Sequence, residues 1–226
     1  MGHEPVADGI GSTDLDAPPS LRTERSEQKI AQVLEAAREV FLASGFEGAS
    51  VDDIARTGGI SKATLYRHFP DKTALFKAVA EQEYARQAAH HPDVDHEGEP
   101  LEALLVDIAT ASLEFSLSPF GQGIYRISVA ESERFPQLGR SFYSSGSGRN
   151  RTRLAPVLAA AAERGELIPL DANHASHVFF AIVRAEIFHK RLFSVEPPPS
   201  PQAIDAHARR AVAVFLRAYG APATAG

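Results

Sequence analysis

SVDDIARTGGISKATLYRHFPDK, residues 50 to 72, is the stretch whose reading decides the fold. Ser50 with Asp53 three residues later predicts a capped helix start, and Asp52 and Asp53 lie where the positive end of a helix dipole favours carboxylates. Val51, Ile54 and Ala55 give that helix one short apolar face. Gly58-Gly59 then supplies the backbone freedom of a sharp turn. Ile60 is placed to plug the angle, and Ser61 to cap a second helix opening at Lys62. On this second helix Leu65 and Phe69 share a face, leaving Lys62, Ala63, Thr64, Tyr66, Arg67 and His68 on or near the other. Pro70 stops it, and Asp71 caps a third helix through Leu75, Phe76 and Val79. Two short helices around a tight turn, with hydrogen-bond donors on the second, form a device for reading DNA.

Upstream, Ile30, Val33, Leu34, Ala37, Val40 and Phe41 recur at helical spacing, and Gly45 is placed to end the helix with Phe46 folding back on Phe41. ISKATLYRHFPDK, residues 60 to 72, together with about fifty residues around it, resembles the helix-turn-helix of the TetR family of transcriptional regulators. The resemblance implies an all-α chain with an N-terminal three-helix DNA-binding domain and a larger C-terminal helical domain for regulation and dimerisation. It also implies that the basic residues Arg22, Arg25 and Lys29 approach the phosphate backbone or a minor groove. Ser50, Tyr66, His68 and Lys72 are expected mainly at phosphates; Lys62, Ala63, Thr64 and Arg67 are expected at base edges or nearby phosphates.

The 226 residues, 44% of them hydrophobic, suffice for one small domain and one larger one. There is no cysteine, so disulfides, thiolate catalysis and thiolate metal sites are excluded, and a cytoplasmic, nucleoid-associated protein is expected. No run approaches the ~18 apolar residues of a membrane span, and no membrane partner is expected. The net charge of −6 runs against DNA binding, which favours a positive footprint, but its distribution does not. Residues 22–91 carry ten bases and ten acids, and residues 61–77 carry Lys62, Arg67, Lys72 and Lys77 against Asp71 alone. Residues 1–21, acidic and rich in proline and glycine, read as a disordered tail. Domain limits follow: 22–71 for DNA binding, 72–91 for a connecting helix and 92–226 for the C-terminal domain.

Beyond the polar link at 90–100, helices are expected over 101–118, 121–133, 149–164, 172–193 and 202–219. ISVAESERFPQLGRSFY, residues 127 to 143, also resembles regulatory domains of one branch of the TetR family. The last two helices are apolar on more than one face. In the family the corresponding pair forms a four-helix dimer interface, which places Phe180, Val183, Val212 and Phe215 between two copies. A small-molecule pocket is expected among Phe115, Phe120, Tyr125, Val129, Phe179, Arg184 and Phe188. Arg184, amid apolar neighbours, needs a partner: Glu186 of the twin chain or an anionic ligand group.

Catalytic patterns are missing: Gly121-Gln122-Gly123 extends into no phosphate-binding loop, and no nucleophile elbow occurs. Glu186 and His189 have the spacing of one di-iron ligand pair, but such a site needs two pairs and two further glutamates. His90, His91 and His96 lack fixed helical spacing and read as solvated. No metal, cofactor or enzymatic activity is expected. The expected function is a homodimeric, ligand-responsive regulator, most often a repressor in this family, with a double-stranded palindromic operator and an unidentified small apolar effector as partners. The alternative is an all-α ligand- or metal-binding protein without DNA regulation.

Overall fold

Capping chemistry and apolar periodicity produce eleven helices among the described residues of this computed structural model, which are 19–88, 98–144 and 148–222. They are α1 (Pro19–Gly48), α2 (Val51–Thr57), α3 (Lys62–His68), α4 (Lys72–Ala88), α5 (Leu101–Leu117), α6 (Pro119–Glu131), α7 (Pro136–Phe142), α8 (Gly148–Glu163), α9 (Ala172–Arg184), α10 (Ile187–Leu192) and α11 (Pro201–Tyr219). An all-α fold with an N-terminal helix-turn-helix is what the sequence predicts. Of the predicted tail, residues 19–21 are already helical; the rest lies outside the described residues, as do His90, His91 and His96.

The N-terminal core forms where α1 crosses α2 and α4. Gly45, at φ 72°, bends the end of α1 so that Phe46 stacks on Phe41 at 5.9 Å, and Phe76 of α4 meets both rings edge-on. This core is not closed by the first four helices alone. Phe120 and Ile124 of α6 and Leu138 of α7 are buried in the same cluster as Val33, Phe41, Leu65 and Phe76. Phe135 adds an edge-on contact to Phe46 at 5.1 Å. The approach is possible because α5 and α6 bend by 69° at Ser118, whose hydroxyl caps α6 through the Gly121 amide. A Cβ at Gly121 would lie 2.1 Å from the Phe115 carbonyl oxygen, so no other residue fits this bend without displacing backbone.

The second core lies between α5, α8, α9 and α11, with Leu105, Leu113, Leu158, Phe179, Val183, Val212 and Phe215 fully enclosed. Here two expectations are corrected. Phe180, Val183, Val212 and Phe215 do not face outward for a partner: all four are buried within the chain, Phe179 meeting Phe180 and Phe215 edge-on at 5.2 Å each. α9 is covered by α8 and α11 together, and that double coverage accounts for its surplus of apolar residues. Nor is 172–193 one helix. It breaks at Ala185 and Glu186, where Glu186 takes φ 31°, and continues as α10. His207 of α11 donates from Nε2–H to the Val183 carbonyl at 3.0 Å, serving a group that an unbroken helix would pair with the Ile187 amide. Lys190 holds the other side of the break, 2.8 Å from Glu186 and 2.9 Å from Glu196.

Candidate DNA-reading surface and effector cavity

The helix-turn-helix is assembled by its caps. Ser50 Oγ accepts from the Asp53 amide at 3.0 Å and donates to the Asp53 carboxylate at 2.5 Å, closing the start of α2. Ser61 repeats the device on α3, accepting from the Thr64 amide at 3.1 Å with the Thr64 hydroxyl 2.9 Å away. Leu65 and Phe69 point into the core and fix the rotation of α3. Lys62, Ala63, Tyr66 and Arg67 are therefore exposed and Thr64 and His68 half-buried, on the face the sequence assigned to DNA. His68 Nε2 is buried and accepts or donates no hydrogen bond among the described residues.

The cations of this surface differ in what already holds them. Lys62 reaches back across the turn to Asp52 at 2.6 Å, and the carboxylate hydrogen bond raises the ammonium above the ordinary lysine range. Arg56 sits 2.5 Å from Asp53, and Lys77 3.7 Å from Glu81. Lys72, expected at a phosphate, turns inward: its ammonium donates to the Ala49 carbonyl at 2.9 Å and the Glu47 carbonyl at 3.2 Å, over the Phe46 ring at 4.7 Å. Burial pushes its pKa below the ordinary value, with Glu131 and Glu47 opposing. Lys72 thus ties the start of α4 to the segment that presents Ser50. Among the described residues, Arg67 is the cation of α3 with no carboxylate, carbonyl or ring against it.

A small cleft opens where α4 meets the C-terminal helices, its space of about 350 Å³ including open solvent. Tyr84 of α4 and Phe115 of α5 face each other across one wall at 4.3 Å. Tyr125 of α6 meets Phe142 of α7 at 5.9 Å and Phe188 of α10 at 4.9 Å on the other. Ser112, Ser116 and Asn150 supply hydrogen-bonding groups, and the Arg184 guanidinium lies over Phe188 at 5.8 Å. Desolvation pulls Arg184 below the ordinary arginine range, with Tyr84 and Tyr125 opposing, and burial lifts the Tyr84 phenol to about 12. The lining is thus aromatic, with one cation and a few hydrogen-bonding groups.

Four of the seven expected cavity residues are there: Phe115, Tyr125, Arg184 and Phe188. Three are elsewhere. Val129 is 56% exposed, Phe120 faces α1 under the Arg38 guanidinium, and Phe179 is enclosed in the second core. Glu186, expected to reach Arg184 from the twin chain, is exposed and pairs with Lys190 of its own chain. Tyr84 and Phe142 escaped sequence reasoning. Tyr84 had left a signal, since it continues the stripe Phe76, Ala80 at i+4 beyond what a three-helix domain can cover. No group of three or more metal-ligating side chains occurs among the described residues, and none of their helices alone is long and apolar enough to cross a membrane.

Comparison with known proteins agrees with this architecture. Residues 33–79 match the model of the bacterial regulatory proteins of the tetR family, and residues 103–221 that of the C-terminal domain of AefR-like transcriptional repressors. The HTH-type transcriptional regulator UidR of Escherichia coli (strain K12) is 32% identical over 147 residues, 64% of this chain and 71% of that protein. A TetR-family regulator from Mesorhizobium loti superposes with a TM-score of 0.75 at 27% identity, covering 87% of this chain and 98% of the other. The flavonoid-responsive regulator FrrA superposes with a TM-score of 0.73 at 32% identity, covering 86% and 98%. These relatives are transcriptional regulators and not enzymes. The chain belongs to the TetR family of bacterial transcriptional regulators.

Proposed function

We propose that this regulator is a homodimeric repressor released from a palindromic operator by a small aromatic effector bound in the cavity. The observation that carries the proposal is Tyr84: one helix, α4, supplies both a cavity wall and, at its other end, the Lys72 tether beneath Ser50. A molecule wedged between Tyr84 and Phe115 displaces α4, and α4 carries the tilt of the reading helix with it. Such a ligand acts only through its different affinity for the two tilts. The flavonoid response of FrrA supports an aromatic, hydroxylated effector here, and the repressor name of the C-terminal match supports the sign of regulation.

At the operator, Lys62, Ala63, Thr64 and Arg67 meet base edges or nearby phosphates, and Ser50, Tyr66 and His68 meet phosphate; Lys72 braces the surface from below. Two copies place their α3 helices about 34 Å, or a multiple of that, apart on one face of the duplex. The dimer contact falls to the outward faces of α9 and α11, where Ala181, Ala185, Ala206, Ala213 and Val214 are exposed and small enough to let helices approach closely.

Selection of bound fragments from genomic DNA, followed by thermal-shift and release assays with flavonoids and aromatic acids, tests the proposal. An effector should raise the melting temperature and free the selected DNA, with Arg184→Met or Tyr125→Ala abolishing release while DNA affinity persists. Release that survives both substitutions would place the effector elsewhere.

A further inference from the structure

The reading surface carries its own counter-charges. Asp52 and Asp53, favoured at the start of α2 by the helix dipole, also stand opposite Lys62 and Arg56, whereas Arg67 of α3 has no anion beside it among the described residues. Lys62 opens α3, and its ammonium lies 2.6 Å from the Asp52 carboxylate across the turn; the side chains are 59% and 64% exposed. An exposed pair of this kind adds little to stability, so the fold does not require it. It does change what a DNA backbone meets. A phosphate drawn toward Lys62 approaches a carboxylate at the same point, and Lys62 can serve DNA only by leaving Asp52 facing a polyanion.

Resting on the DNA-binding reading, we propose that Asp52 is a specificity-determining residue that holds Lys62 back from phosphates of arbitrary sequence and releases it to a cognate half-site. On arbitrary DNA the exchange of one anion for another gains nothing. On a cognate half-site a directed contact to a base edge offsets the carboxylate left behind. Asp52 therefore lowers absolute affinity and widens the gap between cognate and arbitrary DNA, the quantity that matters among many competing sites.

The test needs no known operator. Binding of a random-sequence duplex of about three helical turns is followed by fluorescence anisotropy across a salt series for the parent, Asp52→Asn, Lys62→Gln and the double variant. Asp52→Asn should tighten binding several-fold and steepen the salt dependence by about one unit per engaged protomer. In the Lys62→Gln background the same substitution should tighten binding less than about two-fold, and Asp52→Glu should behave as the parent. Repeated selection from a random pool should give a shallower consensus for Asp52→Asn. Tightening of equal size with and without Lys62 overturns the inference, because any added positive charge would do the same. An unchanged salt dependence in Asp52→Asn overturns it as well. A folded parent that binds no duplex at all overturns the DNA-binding reading and this inference with it.

Discussion

Replacing Lys72 by Met separates two roles that its position in the sequence cannot. In the structure the ammonium makes two hydrogen bonds to carbonyls, at 2.9 and 3.2 Å, and lies 4.7 Å from the Phe46 ring. Charged hydrogen bonds contribute about 1.5–3 kcal/mol each when well shielded, and a partly exposed cation–π contact about 0.5 kcal/mol. The Glu47 bond is exposed and the Ala49 bond half-buried, so solvent screening brings each below that range, to about 0.5–1 kcal/mol. Met keeps the aliphatic stem, and the expected loss is therefore about 2 kcal/mol. Urea unfolding at fixed protein concentration measures it, with Lys77→Met, which breaks only the exposed 3.7 Å contact to Glu81, as the control expected to lose less than about 0.5 kcal/mol. DNA binding should weaken because Ser50 shifts, with its salt dependence unaltered. A Lys72→Met protein as stable as the control, whose salt dependence is flatter by about one unit, would refute the bracing role and return Lys72 to the phosphates.

Ala181→Glu, on the outward face of α9, should convert the proposed dimer to a folded monomer in light scattering, whereas Val183→Asp, at a fully buried position, should cost several kcal/mol and melt the C-terminal helices in circular dichroism. Leu138→Ala should cost about 2–5 kcal/mol, and hydrogen exchange should show the loss in α1 and α4, both far earlier in the chain. Tyr84 ionises near 12 when folded and near 10 when unfolded, so it favours the folded state fully below pH 10 and that contribution drains away as pH rises toward 12. Absorbance titration of phenolate should lose its highest step in Tyr84→Phe, and an unaltered curve would count against its burial.

Local chemistry made the reader legible. Ser50, Ser61, Gly58-Gly59 and Pro70 each act within a few residues of themselves, and the structure places the boundaries of α2 and α3 where those residues require. What depended on distant partners was not legible. Nothing in the sequence around Ala185 and Glu186 is a helix breaker; the break survives because His207, more than twenty residues away, serves the Val183 carbonyl. Apolar periodicity in α9 and α11 correctly demanded burial on two sides but could not say whether α8 or a second copy supplied it, and Phe180, Val183, Val212 and Phe215 were assigned outward for that reason. The cavity was half legible. Aromatic residues of 101–193 were candidates by composition, yet Val129 and Phe120 fall on other faces of α6, and rotation of one helix decides which of its residues meet the cavity.

The reader's core is completed by Phe120, Ile124 and Leu138, residues that lie well beyond the end of α4. During synthesis, then, the helix-turn-helix emerges first and waits. Its apolar seam lacks these three side chains until α6 and α7 have left the ribosome, so the nascent reader is expected to gain its full stability only once the segment carrying Tyr125 and Phe142 is present. The same seam sets the rule for grafting. A chimera that joins this reader to another sensor between α4 and α5 inherits a hole where three side chains were, and only a donor that brings matching residues on its own α6 and α7 should fold.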